Sequence, residues 1–592
     1  MIEKKILFRF AVFSDAHVTP VDNVSNSPFP VNRLSNQRYE HAVKCINQLD
    51  PELILNLGDM VHPLPGSKEY HLAAERYHQI SSEFIQTPIC IPGNHDVGDK
   101  PSEWMPAEAI SERSIKKYHD NFGEDYRSFT YKGWTFILLN GELLNAPLSK
   151  ANQQKIWFEN ELLKADNKKI FIAIHYPPFL YDPEEFDHYD NISEPDRSWF
   201  LELIEKYQVA AVFSGHVHNF WLNTYKTTDL FIIPSVSFVR QDYSEMYSSK
   251  PPFEGGREDV NKLGFLTFDV FEDDYIWRFH RTFGRSVSDA GQNHLLKSFH
   301  PQERKNPAFG VDLRLPWQEH RQIPPSGALD EFYRKDVRND YPLLALCELG
   351  INELRMPLND IYDSKVLNRL IALKKVGFTY TFYSFGIPHA KIIDLIKQYP
   401  ELFDKIEIIW PGNDSKKIVN EYIEFRQQTK VKILVSPLWK NFGETDKNGR
   451  HFHVIKHGFN PSKLETFEDF FPKNWVSAGL TNFIDGIVLK QNLIFENEVS
   501  IATIETWRER HSFLLHVLSS SSPHNPSENI DNQTVIAESI ENLWLKAKAV
   551  SEGVVFFTDA FVEIDRGYFR KAGLIDRLGN PMLAWHKIMT SK

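Results

Sequence analysis

Cysteine is nearly absent from this chain: Cys45, Cys90 and Cys347 are the only three in 592 residues, and none forms a CxxC pair. That composition excludes a disulfide framework and fits a reducing compartment. Long apolar runs are missing too, since no stretch approaches the roughly 20 residues a membrane helix needs. The opening MIEKKILFRFAVFSDAH is short, broken by Arg9, and leads into Asp15 and His17 without a small-residue cleavage site. It therefore reads as a first core strand, with the signal peptide of a secreted chain as the alternative. Positive charge is in deficit, with 67 Lys and Arg against 79 Asp and Glu, for a net charge of -12. A dedicated binder of nucleic acid or of an anionic membrane is disfavoured on that ground. The expected setting is the cytoplasm, where the sequon at Asn532 carries no weight.

What is present is a globular balance, 42% hydrophobic and 25% charged, on a chain too long for one core. In the first half, short β-branched runs stop at polar, metal-capable residues: ILFRFAVFSDAH, ELILNLGDM, PICIPGNHD, KIFIAIHYPP and QVAAVFSGHVH. Segments of helical period such as RYEHAVKCINQL lie between them, so buried strands alternate with helices in α/β layers. A strand-rich, antiparallel stretch from TDLFIIPSV to YIWRFHRTF completes a domain over 1–290. The polar, aperiodic residues that follow make 291–307 a linker. Over 308–592, eight candidate strands alternate with helical segments such as SKVLNRLIALKKVG, whose Gly377 suits a helix C-cap. Eight βα units over a length near ~250 residues predict a (β/α)8, TIM-type barrel.

A lone Asp-x-His triplet has little value as a signal, but here five separate apolar runs end in Asp, His or Asn. The C-terminal ends of strands are where α/β sheets place their sites. The residue types suit phosphoester hydrolysis, which needs phosphoryl charge neutralised and a nucleophilic hydroxide near neutral pH. Two cations roughly 3.5–4 Å apart can supply both. Such a pair needs a bridging carboxylate, for which Asp59 is suited, and imidazoles for transition metals. Gly58 before it lets the backbone approach closely.

The ordered series D-x-H (Asp15, His17), G-D (Gly58, Asp59), G-N-H-D (Gly93 to Asp96), a lone His175 and G-H-x-H (Gly215, His216, His218) resembles the calcineurin-like metallophosphoesterases. The resemblance covers about residues 6–285 and implies an αββα sandwich of two packed sheets. It also implies that Asp15, His17, His218 and Asp59 hold one metal, while Asn94, His175, His216 and Asp59 hold a second. The metals would be Mn, Fe or Zn, with a bridging hydroxide as nucleophile. His95 would face the substrate and protonate the leaving alkoxide, and Asp96 would orient its ring. The partner implied is a small-molecule phosphoester, such as a sugar phosphate or nucleotide, cleaved as a monoester or a diester.

Further candidates are weaker. His62 reads first as a loop histidine; His188 and Tyr189 lie in an acidic, aromatic segment suited to a rim over the metals; Arg38 and Arg257 are ordinary arginines that could clamp phosphate. The closing GYFRKAGLIDRLGNPMLAWHKI resembles the last helix region of glycoside-hydrolase-like barrels. A glycosidase would need paired carboxylates after the fourth and seventh strands. The fourth offers Asp414 only, and the seventh offers none. Asp360, Asp414 and Asp559 could line a mouth, with Tyr383, Trp410 and Trp439 as stacking faces. The alternative to a phosphoesterase is thus a carbohydrate-binding or glycan-processing barrel. Otherwise the barrel would aid substrate selection or assembly.

Overall fold

The computed structural model describes residues 5–591 except 106, 166–168, 244–259, 293–294, 304–305, 315–316, 318–319, 411–415, 439–456, 495–498, 522–531, 560 and 564–572. The chain divides into two compact units. The first comprises Met1–Lys297 and Gln318–Tyr341; the second comprises Ser298–Trp317 and Pro342–Lys592. Among the described residues, no helix is long and apolar enough to cross a membrane.

In the first unit the strands are β1 (Phe8–Phe13), β2 (Leu53–Asn56), β3 (Ile89–Cys90), β4 (Arg127–Tyr131), β5 (Trp134–Leu138), β6 (Ile170–Ala173), β7 (Ala211–Ser214), β8 (Trp221–Tyr225), β9 (Thr228–Ile232), β10 (Gly264–Val270) and β11 (Tyr275–Arg281). They form two sheets, ordered β11-β10-β1-β2-β3 and β4-β5-β6-β7-β9-β8. β1, β2 and β3 run parallel, as do β5, β6, β7 and β9, while β10 and β11 add antiparallel.

Alternation along β1 explains why the sheets stack. Phe10 meets Phe136, Phe171 and Phe213 of the other sheet at 5.4, 5.3 and 5.8 Å. Phe13, on the opposite face, packs on Tyr39 and Phe84 at 5.7 Å each. Both faces of the strand are therefore buried, so its sequence reads as an almost continuous apolar run. Arg9 is the exception, and it is matched by Asp269 at 2.6 Å. Burying each of these Phe rings contributes roughly 1.5–3 kcal/mol. Helix Ser35–Asn47 covers the first sheet with Tyr39, Ala42, Val43 and Ile46, spaced as one helical face. Phe158, Leu162, Phe200 and Ile204, from helices Ser149–Lys164 and Asp196–Lys206, cover the second. The layers are αββα.

Residues 318–341, which the sequence reading leaves with the barrel half, cluster with the first unit. They carry the antiparallel pair β13 (His320–Ile323) and β14 (Lys335–Arg338). The reason is polar pairing onto the edge strand β8. Arg338 donates to Asn223 at 2.8 Å and grips Asp340, whose Oδ2 accepts from Leu222 N at 3.0 Å.

The second unit is a closed eight-stranded parallel barrel: β12 (Phe309–Asp312), then β15 (Glu353–Pro357), β16 (Thr379–Phe385), β17 (Lys405–Trp410), β18 (Lys432–Pro437), β19 (Gly486–Asn492), β20 (Leu514–Ser520) and β21 (Val554–Thr558). β12 pairs with both β15 and β21, which closes the ring and removes every sheet edge. Helices separate the strands, as in a TIM-type barrel. Gly377, at φ 99°, caps the one-turn extension of helix Ser364–Leu373 in the left-handed conformation.

Candidate metal centre

The two sheets bring the C-terminal ends of β1, β2, β3, β6 and β7 together. The candidate residues follow those ends: Asp15 and His17, Asp59, Asn94 and His95, His175, then His216 and His218. Five of them are non-glycine residues with positive φ: Asp15 57°, His17 44°, Asp59 52°, His216 67° and His218 58°. Each such conformation costs about 1–3 kcal/mol and persists only where the surroundings over-determine it. The glycines of the motifs have a steric reason. A Cβ on Gly58, at φ 104°, would lie 2.5 Å from Gly93 N, and one on Gly93 would lie 2.4 Å from Asp59 Oδ1.

The side chains gather in two groups that share Asp59. Asp15, His17, Asp59 and His218 form one, and Asp59, His175 and His216 the other, with ligand-capable atoms within 4.8 Å of one another in each group. Asp59 turns Oδ2 to His17 Nε2 at 3.4 Å and Oδ1 to His175 Nε2 at 3.6 Å. Asn94 Oδ1 joins the second group, 3.3 Å from His175 Nε2 and 3.1 Å from His216 Nδ1. His218 Nε2 lies 3.3 Å from Asp15 Oδ1. The rear nitrogens of two rings are committed to backbone: His175 Nδ1 donates to Leu57 O at 2.7 Å, and His218 Nδ1 to Phe238 O at 2.8 Å. A carbonyl only accepts, so these bonds fix the tautomer and leave each neutral ring's Nε2 lone pair directed into the cluster.

The donor set fits metal ions. His17 Nε2 and His218 Nε2 face each other at 3.1 Å. Asp15 Oδ2 is buried without a hydrogen-bond partner. Burial would keep His175 neutral, yet the Asp59 carboxylate raises it to about 10. Burial would likewise raise Asp59, but His175, His95 and His17 outweigh it and hold the carboxyl well below its usual range. His17 is pushed far down by burial and by His95. The pocket is rich in acceptors converging on small volumes, an arrangement that places positive charge there.

His95 is only partly buried and stands beside this set, its ring 4.6 Å from that of His17. Its Nδ1 donates to His62 O at 2.6 Å, and its backbone N–H to Asp59 Oδ1 at 2.8 Å. The Asp96 carboxylate accepts from the backbone N–H groups of Gly93, Met60 and Val61, and the His95 ring is bonded by the His62 carbonyl. Burial, and then Asp59, push Asp96 up to about 8. His62 also brings its ring 5.3 Å from that of His95 and is more than a solvated loop residue.

Among the weaker candidates, His188 is fully buried and bonded to Glu185 at 3.1 Å, which makes it part of the loop's own scaffold. Tyr189 does reach the site: its hydroxyl accepts from Asn94 Nδ2 at 3.3 Å and its ring lies 4.7 Å from His216. Arg38 is buried, not on the surface, and donates to Ser237 O and Gly284 O, so it ties chain segments together. Arg257, Asp414 and Trp439 lie outside the described residues. A cleft of about 800 Å³ opens beside His95 and His62, with Asn26, Ser27 and Pro28 on one wall and Arg113 and Lys117 on another.

In the barrel, sequence reasoning missed Glu407, which sits inside β17 and not at its end. It accepts from Arg355 Nε at 2.7 Å and Ser436 Oγ at 2.7 Å, and His457 Nδ1 lies 3.3 Å away. The signal available was a charged residue in the middle of an apolar strand, KIEIIW. Asp559 pairs with Arg314 at 3.5 Å and accepts from Ser520 and Ser521. Tyr383 lies 4.1 Å beneath the Arg355 guanidinium. Trp410 is buried against Tyr422 and Trp475, so it packs and offers no stacking face. Asp360, after β15, is pushed up to about 6 by burial.

Comparison with known proteins agrees with the geometry of the first unit. A family model described as calcineurin-like phosphoesterase matches residues 8–220. The chain is 31% identical to serine/threonine-protein phosphatase CPPED1 of Mus musculus, over 33% of this chain and 64% of that protein. It is 24% identical to a probable cyclic nucleotide phosphodiesterase of Psychrobacter sp. (strain PRwf-1), over 37% of this chain and 62% of that protein. A solved structure, purple acid phosphatase PPD1 from yellow lupin, is 14% identical, covering 48% of this chain and 53% of that one at a TM-score of 0.32. The chain thus spans a little under two thirds of the length of the curated relatives it matches. With the five motifs at five converging strand ends and the family matched across them, residues 8–220 constitute a calcineurin-like phosphoesterase domain.

Proposed function

We propose that the protein is a cytoplasmic metal-dependent phosphoester hydrolase acting on small phosphomonoesters or phosphodiesters. The observation that carries this reading is the division of Asp59, one carboxylate oxygen toward each group of imidazoles. Asp15, His17 and His218 would hold one ion with Asp59; Asn94, His175 and His216 would hold the other. Two cations bound there supply charge neutralisation at phosphorus and activation of water. The chain's own contribution to bond breaking is His95. Its Nδ1–H is committed to His62 O, so Nε2 is the atom turned to the substrate. A P–O bond forms to water and the P–O bond to the alcohol breaks. The proton on Nε2 passes to the departing oxygen, and the proton lost by water leaves to solvent. Arg113 and Lys117 along the cleft suit a leaving group that carries polar or anionic substituents, such as a nucleotide or sugar phosphate. The barrel, whose buried charges are matched among themselves, fits a role in substrate selection or assembly.

The test is hydrolysis of p-nitrophenyl phosphate and its bis-ester by the full chain in Mn²⁺, followed by a screen of phosphomonoesters, cyclic nucleotides and sugar phosphates. Asp59→Ala is expected to reduce hydrolysis to background and to lower the bound Mn²⁺. His95→Asn is expected to lower kcat by roughly 10²–10⁴-fold with the bound metal retained. Activity that survives Asp59→Ala refutes the reading.

A further inference from the structure

The imidazole of His216 has two distinct sides. Nδ1 faces Asn94 Oδ1 at 3.1 Å, inside the second group, while Nε2 points away, buried and without a hydrogen-bond partner. On that far side lies Asp190, whose Oδ1 is 3.6 Å from His216 Nε2. Asp190 is fully buried and its position is held from three directions. Arg240 Nη1 donates to Oδ1 at 2.5 Å, and Lys335 Nζ donates to Oδ2 at 2.5 Å. The Tyr243 hydroxyl also donates to Oδ2, at 2.9 Å. Arg240 Nη1 reaches the His216 carbonyl as well, at 3.3 Å, so one guanidinium grips both the carboxylate and the backbone of the histidine it faces.

One of these supports, Lys335, comes from residues 318–341, which follow the first barrel strand in the chain yet belong to the phosphoesterase unit. Lys335 opens β14 and is almost wholly buried. Its ammonium also donates to Tyr243 OH at 3.0 Å and lies 4.3 Å over that ring. Ser326, from the same segment, acts on Arg240, its Oγ accepting from Arg240 Nη2 at 2.7 Å.

We propose that Lys335 and Arg240 act through Asp190 as positioning residues for His216, making the second metal site depend on residues 318–341. A carboxylate behind the distal nitrogen of a metal-binding imidazole fixes which nitrogen carries the proton, orients the ring and makes the binding nitrogen more basic. A buried carboxylate does this only while it is itself held ionised and in place, and Lys335 and Arg240 supply both conditions. The inference rests on the proposed function, since it assumes that His216 binds a metal ion.

The experiment is a Mn²⁺ titration of the full chain, followed by calorimetry and by the electron paramagnetic resonance of bound Mn²⁺, for wild type, Lys335→Met, Lys335→Arg and Asp190→Asn. Lys335→Met is expected to weaken one of the two Mn²⁺ sites by about 10–100-fold. Hydrolysis at limiting Mn²⁺ should fall with it and recover as Mn²⁺ is raised. Lys335→Arg, which keeps the cation, should bind as wild type does, and Asp190→Asn should reproduce Lys335→Met. A merely structural ion pair would lower the melting temperature and leave both Mn²⁺ affinities unchanged, and that result overturns the inference. Should Lys335→Met fail to fold, Asp190→Asn decides alone, because it preserves volume and both cations. Two wild-type sites unaffected by either variant sink this inference only. A wild-type chain that binds no Mn²⁺ sinks the proposed function together with it.

Discussion

Both units bury a cluster of charged and polar side chains, and the two clusters are built on opposite principles. In the phosphoesterase unit, ligand-capable atoms crowd together: the Nε2 atoms of His17 and His218 meet at 3.1 Å, and Asp15 Oδ2 is buried without a hydrogen-bond partner. In the barrel, donor faces acceptor. Arg355 joins Glu407 and Asp312 at 2.7 and 3.0 Å, Ser436 donates to Glu407, and Arg314 pairs with Asp559. Lys490 adds a third, half-buried cation, pushed down to about 8 by burial and by Arg314. The barrel cluster thus sets Arg314, Arg355 and Lys490 against Asp312, Glu407 and Asp559, although Asp312 Oδ1 and Arg355 Nη2 are also buried without a hydrogen-bond partner. Backbone strain divides the same way, since five residues of the metal centre take left-handed conformations and none of these six barrel residues does. The strained cluster gathers ligand-capable atoms that could hold an ion, whereas the unstrained barrel cluster sets its charges against one another within the chain.

The largest test of that contrast removes a charge from the balanced cluster. Glu407→Gln leaves the Arg355 guanidinium buried and under-compensated, so the barrel should lose about 3–5 kcal/mol of stability. Hydrogen exchange over 405–410 should report this, with Mn²⁺ content and kcat of the folded protein unchanged. A loss below about 1 kcal/mol would mean that the barrel charges are not coupled as their distances suggest. A smaller effect of opposite locality follows from chelation. Moving from Mn²⁺ at a hundred times its Kd to EDTA should lower protection over 211–214 by about 2.7 kcal/mol and leave 405–410 alone. Equal losses in both segments would break the comparison.

Legibility in the sequence follows the same division. Asp15, His17, Asp59, Asn94, His175, His216 and His218 could be singled out because each closes an apolar run, and strand ends are where a sheet can converge side chains. The eight barrel strands could be read because buried parallel strands are continuous apolar segments of strand length. Long-range polar pairing left no such trace. Asp190 is 145 positions from Lys335, and nothing local marks either as a partner of the other. The backbone carbonyl of His62, which bonds the His95 ring, has no side-chain signature in a sequence. Glu407 lies within a strand and not at its end, away from where a sheet converges side chains.

Acid should separate the two clusters without any mutation. Burial would raise Glu407, but Arg355 and His457 outweigh it and hold its folded value well below the ordinary carboxylate range. A depressed folded value contributes stability that is complete above the unfolded value of about 4.3 and is lost only as pH falls below it toward the folded value. Between pH 7 and 5, Glu407 therefore contributes no change, and exchange protection over 405–410 should stay flat. The metal centre must respond earlier, because imidazoles bind metal only when neutral: His175, raised to about 10 by Asp59, must give up its proton to bind, so metal competes less well with protons at each step down in pH. Bound Mn²⁺, hydrolysis and protection over 211–214 should decline together across that interval. Loss of barrel protection before loss of Mn²⁺ would show that the barrel's charges also depend on something the chain does not supply.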